Sequence, residues 1–314
     1  MTRKILVSLL LVVGLLTACA PEGSPPTATV IETNPPPATE PSATQPPATE
    51  PPATQPPATE PPGIPALPPE PQEVTFHASD GQELHGLYYP AAVNPAPLVV
   101  LMHWVGGDMS DWYEIAVWLQ NRGQANPFPN PGSEPWWDPT WFPPVPEGAS
   151  YGVFIFSFRG CTPYKAGCRE GTPDVWLLDA QAAMLKSVEL EGIDPTQIVA
   201  IGSSIGADGA PDGCLYLNEQ IHGSCRGAAS LTPGNYLTLP FDKVVKDLGE
   251  EQLPVPVWCL TTPEEVGFCR RITEENLTVI EHQNGKHGNN LLVPETVPLG
   301  LQSILDFLTA TLGP

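Results

Sequence analysis

Residues 36–60 read PPATE PSATQ PPATE PPATQ PPATE, five pentapeptides in a row. Each proline fixes φ and removes a backbone donor, so this run favours extended polyproline II over helix or sheet. The wider stretch 21–71 holds 19 of the 42 prolines of a 314-residue chain and no Lys or Arg. It cannot bury a core. Residues 72–314, about 240, are left to fold, enough for one large domain or two small ones. From residue 74 onward 28 acids face 11 bases, a net charge near −17. That balance excludes a nucleic-acid binder, which needs a basic footprint, and disfavours adsorption to anionic lipid. With no G-x-y period, no sustained heptad and one long apolar run, collagen, coiled coil and polytopic membrane protein are excluded as well.

The apolar run is at the start. Arg3 and Lys4 precede Ile5–Leu16, too short to span a bilayer but suited to the core of a signal peptide. The following Leu16-Thr17-Ala18-Cys19 resembles the bacterial lipobox, in which the Cys is lipidated and becomes the mature N-terminus. Residues 1–18 are thus expected to be a signal peptide, and Cys19 a lipid anchor. Ala20 and Pro21 follow it in place of the Asp that retains such proteins in the inner membrane. Residues 19–71 form a linker that, fully extended, reaches ~150 Å at about 3.1 Å per residue. Its Thr-rich composition suits a spacer, a glycosylated stalk or a neutral tether.

Six further cysteines fall as three close pairs: Cys161 and Cys168, Cys214 and Cys225, Cys259 and Cys269. An even count in an exported domain points to disulfides, with nearest neighbours expected to pair. No C-x-x-C spacing favours zinc. No metal or other cofactor is expected.

Apolar runs alternate with amphipathic ones. Strands are expected at 73–77, 83–89, 98–103, 151–158, 197–202, 227–231, 255–260 and 277–281. Helices are expected at 110–122, with Ser110 as N-cap, at 174–190, from Ile205 onward, and at 298–312. This order implies an α/β fold, a mostly parallel sheet covered by helices on both faces.

Gly202-Ser203-Ser204-Ile205-Gly206 directly follows the apolar strand Ile198–Ile201. This is G-x-S-x-G between strand and helix, where a tight turn needs bare flanks and holds the middle Ser out at a helix N-terminus. Here 72–314 resembles the α/β-hydrolase superfamily, nearest its dienelactone-hydrolase-like and acyl-peptidase-like branches. Leu101-Met102-His103-Trp104-Val105-Gly106-Gly107 stands where that family keeps its oxyanion loop. Ser157-Phe158-Arg159-Gly160 stands where D-x-R-G is common, with Ser157 a departure. Asp194-Pro195 and Lys286-His287-Gly288 fit too. Dienelactone hydrolases themselves use a Cys nucleophile; the elbow here carries Ser.

The resemblance implies a Ser–acid–His triad with Ser204 as nucleophile and His287 as base. The acid is expected after the strand ending at Leu260, with Glu265 ahead of Glu264 and Asp242 third. Backbone N–H groups of Trp104 and Ile205 would form the oxyanion hole. His77, His85, His103, His222 and His282 are expected to be structural. Asp208 and Asp212 read as structural or capping carboxylates rather than a calcium site, with Pro211 breaking the helix between them. Residues 124–148, rich in Pro and carrying Trp136, Trp137 and Trp141, leave a helix at the amino-terminal edge of the sheet, so they are expected to cover the far side rather than act as a lid. No large cap domain is expected, since 233–254 holds at most a short helix. The reading is a surface-tethered serine hydrolase acting on an ester or related acyl bond of a small or extended substrate. It would touch membrane only through its anchor and bind no nucleic acid. The alternatives are an inactive binding module of the same fold and a peptidase.

Overall fold

The computed structural model describes residues 64–131, 133–161, 168–169 and 171–313. The expected signal peptide, Cys19 and the pentapeptide repeat lie outside the described residues.

Among the described residues eight strands form one sheet: β1 (Gln72–His77), β2 (Glu83–Tyr89), β3 (Ala96–Met102), β4 (Gly152–Phe156), β5 (Ile193–Ser203), β6 (Cys225–Leu231), β7 (Val257–Thr261) and β8 (Leu277–Glu281). Their spatial order is β1-β2-β4-β3-β5-β6-β7-β8. β2 runs antiparallel to both β1 and β4. From β4 to β8 all pairings are parallel. The central strands are buried on both sides, which is why β3 and β4 read as unbroken apolar runs.

Among the described residues six α-helices complete the fold: α1 (Tyr113–Gln120), α2 (Pro173–Ser187), α3 (Ile205–Gln220), α4 (Phe241–Gly249), α5 (Val266–Cys269) and α6 (Gly300–Leu312). α1 and α6 cover one face of the sheet through Ile115, Leu119, Ile304 and Phe307. α2, α3 and α4 cover the other through Leu177, Ala210, Leu217 and Val245. The loops leaving the carboxyl ends of β3, β5, β6, β7 and β8 share one edge.

Three local expectations change. The helix expected from Ser110 begins at Tyr113, because Asp108 caps a 3₁₀ turn over Met109–Trp112 by accepting from the Ser110 N–H at 2.8 Å. Pro211 does not break α3, which runs through it. A proline there leaves the Ala207 carbonyl without its helical donor, and the Ser230 hydroxyl, from β6, donates to that carbonyl at 2.6 Å. Finally, packing begins ahead of Gln72. The Leu67 carbonyl accepts from Arg122 at 2.6 Å and the Pro69 carbonyl from Gln120 at 2.8 Å.

The disulfides are Cys161–Cys168, Cys214–Cys225 and Cys259–Cys269. Cys214–Cys225 ties the middle of α3 to the start of β6, and both residues are buried. Replacing both by Ala is expected to lower unfolding free energy by about 2–3 kcal/mol on the chain-entropy model. Urea denaturation measures it; an unchanged midpoint and slope contradict it.

Candidate active site

β5 ends at Ser203 and α3 starts at Ile205, so Ser204 alone joins strand to helix. Its backbone sits at φ 54°, ψ −112°, strained for a residue with a side chain. A Cβ on Gly202 would stand 1.8 Å from the Gly206 carbonyl oxygen, and one on Gly206 would stand 2.3 Å from that of Met102. Both flanks must therefore be glycine. The turn puts Ser204 at the carboxyl edge and at the positive end of a 16-residue helix. As the first residue of α3, Ile205 has an N–H with no partner inside the helix.

The loop after β8 carries His287 to this edge of the sheet. The Gly288 N–H donates to the Thr232 hydroxyl at 2.9 Å, and Thr232, at the end of β6, is itself held at φ 55°. A Cβ on Gly288 would stand 2.7 Å from Ser203 Oγ and 3.5 Å from Trp104 Cε3, so the histidine loop lies directly against the elbow. The Trp104 ring is 6.5 Å from that of His287, and Tyr236 meets it edge-on at 6.0 Å.

His287 Nδ1 is 2.8 Å from Glu265 Oε1. A carboxylate only accepts, so Nδ1 carries the hydrogen and a neutral ring keeps its lone pair on Nε2. Glu265 is set by the turn after β7, where its N–H donates to the Thr262 carbonyl at 3.2 Å. Cys259–Cys269 ties β7 to α5 on either side of that turn. Of the three carboxylates considered, Glu265 meets His287. Glu264 points to solvent, and Asp242 lies at the exposed start of α4.

The loop after β3 is held from several sides. His103 is fully buried, its Nδ1 donating to the Trp104 carbonyl at 2.7 Å and its Nε2 accepting from the Phe158 N–H at 3.0 Å. Burial lowers its pKa to about 4, which keeps the ring neutral in the tautomer those partners require. The Cys168 N–H donates to the Val105 carbonyl at 2.9 Å. Cys161 and Cys168 come within ligand distance of His103, but their sulfurs are bonded to each other and both ring nitrogens are used. Among the described residues no other trio of His, Cys, Asp or Glu is spaced to hold a metal.

Asp111 also holds this loop, and sequence reasoning missed it. Its Oδ2 accepts from the Trp104 indole N–H at 2.9 Å, and its Oδ1 accepts from the Ser133 hydroxyl at 2.6 Å. A Cβ on Gly107 would stand 1.7 Å from Oδ2. Burial pushes the Asp111 carboxyl up to about 7, against the Ser133 and Trp104 hydrogen bonds that pull it down. The folded state therefore holds a proton that the unfolded chain releases near pH 4, and stability falls as pH rises from about 4 to about 7. Asp111→Asn removes this dependence. Above pH 7 the variant should be more stable than wild type, by up to about 3–4 kcal/mol, with a flatter profile below. Melting temperatures from pH 4 to 8 test this; parallel profiles contradict it.

Asp208 and Asp212 lie one helical turn apart in α3. Asp208 accepts from the N–H groups of Gly234 at 3.1 Å, Leu237 at 3.2 Å and Tyr236. It thereby pins the loop that brings Tyr236 to His287. Asp212 is buried with neither oxygen hydrogen-bonded, and burial plus the charge of Asp208 hold its carboxyl well above the usual range. Arg159, in the Ser157–Gly160 segment, bonds the buried Asp179 through Nε at 2.8 Å and joins β4 to α2.

The insertion corrects an expectation. Its later part does cover α1: Phe142 stacks on Trp118 at 5.1 Å, and the Pro143 carbonyl accepts from the Trp118 indole at 2.7 Å. Residues 133–137, however, wrap round to the carboxyl edge. Ser133 bonds Asp111, Trp137 donates to the Asp111 carbonyl at 2.7 Å, and Trp136 lines a groove together with Lys286.

Solved structures share this architecture. A hyperthermophilic esterase from Pyrobaculum calidifontis superposes with TM-score 0.51 at 12% identity, over 77% of this chain and 83% of that one. The α/β hydrolase GrgF from Penicillium gives 0.53 at 13%, over 79% and 100%. The chain has the α/β-hydrolase fold. The strand-to-helix elbow at Ser204 and the loops after β3, β6, β7 and β8 converge at the carboxyl edge of this sheet. No protein-family model matches the chain. Uncharacterized protein YfhR of Salmonella typhi is 26% identical over 147 residues, 45% of this chain and 39% of that protein. The same protein of Salmonella typhimurium matches equally. The chain thus aligns with well under half the length of these relatives. No helix among the described residues is long and apolar enough to cross a membrane.

Proposed function

We propose that the protein is a serine hydrolase that cleaves an ester or related acyl bond through an acyl-enzyme. The observation that carries this reading is the Glu265–His287 pair, 2.8 Å apart, with the His287 loop packed against a strained serine elbow. His287 Nε2 takes the proton of Ser204 as Oγ attacks the carbonyl carbon. The resulting oxyanion is met by the N–H groups of Ile205 and Trp104. As the tetrahedral intermediate collapses, the imidazolium returns the proton to the leaving oxygen. Water then repeats the cycle on the acyl-enzyme, and the acid leaves. Glu265 keeps the hydrogen on Nδ1 and stabilises the imidazolium. His103 fixes the carbonyl of Trp104 and Asp111 fixes its indole, so the oxyanion loop is set before substrate arrives.

Three disulfides support a place outside the cytoplasm, and the Leu16–Cys19 lipobox supports a lipid anchor there, with the proline-rich repeat as tether. Its strongly acidic balance leaves no footprint for nucleic acid. The direct test is turnover of 4-nitrophenyl acetate by the purified protein at neutral pH. Steady hydrolysis above background is expected. No turnover by a sample with an intact melting transition favours an inactive binding module of the same fold.

A further inference from the structure

The groove between residues 134–136 and the histidine loop has a volume of about 310 Å³ and begins one residue from His287, at Lys286. One wall is Trp136, 56% exposed, with Pro135 beside it. The insertion does not present this indole by chance of a loose loop. Ser133 and Trp137, on either side, are both bonded to Asp111, which also bonds Trp104. The wall and the oxyanion loop therefore share one anchor.

The rest of the lining is mixed: Val293 is apolar, and Lys286, Asn290, Thr296 and Glu134 are polar. Lys286 offers donors. The Asn290 amide spends its Nδ2 on the His287 carbonyl at 3.1 Å, which leaves its Oδ1 to accept. The Thr296 hydroxyl donates to the Val293 carbonyl at 3.2 Å and keeps its lone pairs. Glu134 adds acceptors beside Trp136. An aliphatic acyl chain here would cover Trp136, Pro135 and Val293 but desolvate Lys286, Asn290 and Glu134 without giving them partners. A carboxylate ligand would meet Glu134 and the negative field of the domain. A neutral ring with an apolar C–H face and hydroxyls on its rim satisfies both kinds of lining, since each hydroxyl donates and accepts and the C–H face lies on the indole.

On the hydrolase reading above, we infer that this groove seats a sugar ring, and that the substrate class is acyl esters of carbohydrates. The bond formed is acyl carbon to Ser204 Oγ. The bond broken is acyl carbon to sugar oxygen, which leaves as a hydroxyl with the proton from His287. Water then releases the acid.

The test compares wild type with Trp136→Ala on acetylated xylo-oligosaccharides, 4-nitrophenyl acetate and 4-nitrophenyl octanoate. The exposed indole supports no core, so the variant should fold. Its kcat/KM should fall at least tenfold more on the oligosaccharide than on 4-nitrophenyl acetate, through KM. Equal losses on these two, or the largest loss on the octanoate, overturn the inference. Calorimetric titration of Ser204→Ala protein with acetylated xylotriose, with and without Trp136, separates this outcome from failure of the hydrolase reading. Binding that depends on Trp136 supports the groove even without turnover; no binding with Trp136 intact overturns it.

Discussion

Ser204→Ala should lower turnover of 4-nitrophenyl acetate by ~10⁴–10⁶-fold, and His287→Ala by nearly as much. The losses are not additive, because each residue is useless without the other. A serine hydroxyl is a poor nucleophile at neutral pH until a base takes its proton, and the base has no other task here. The double variant should therefore be no slower than Ser204→Ala. Neither change touches the core: Ser204 holds the turn through its backbone, and His287 is partly exposed on an edge loop. Melting temperatures should stay close to wild type. A loss of under tenfold in either single variant, with the fold intact, contradicts the assignment of that residue.

Glu265→Gln should cost less, ~10²–10⁴-fold in kcat, because a neutral amide no longer stabilises the imidazolium and can present its NH₂ to Nδ1, favouring the wrong tautomer. Glu264→Gln should cost under about tenfold, since Glu264 faces solvent. The two neighbours have the same chemistry, so the contrast isolates position. If the Glu264 variant is the slower, the carboxylate bonded to His287 is not the working one.

Much of the frame is legible in the sequence because burial dictates residue type. β3 and β4 lie wholly inside the sheet, and only apolar side chains suit that environment. Ser204 is legible for a different reason: two glycines and a helix start are needed for its backbone to exist at all. Choosing Glu265 over Glu264 rests on loop length after β7, and the Thr262 turn settles which carboxylate turns inward. What the sequence does not announce are contacts across long separations. Pro211 reads as a helix breaker because its remedy, Ser230, comes from another strand. Asp111 reads as one more acid near a helix start, since its partners Ser133 and Trp137 lie 22 and 26 residues away. The insertion has no periodicity to betray its path, and those bonds to Asp111 carry it to the site edge.

The central claim is that one serine of this chain is activated. It is tested most directly by treating the purified protein with a fluorophosphonate probe and mapping the adduct by peptide mass spectrometry. The account predicts stoichiometric labelling confined to the peptide bearing Ser204, abolished in Ser204→Ala and in His287→Ala. A folded protein that takes up no probe, or takes it up at a serine other than Ser204, contradicts it.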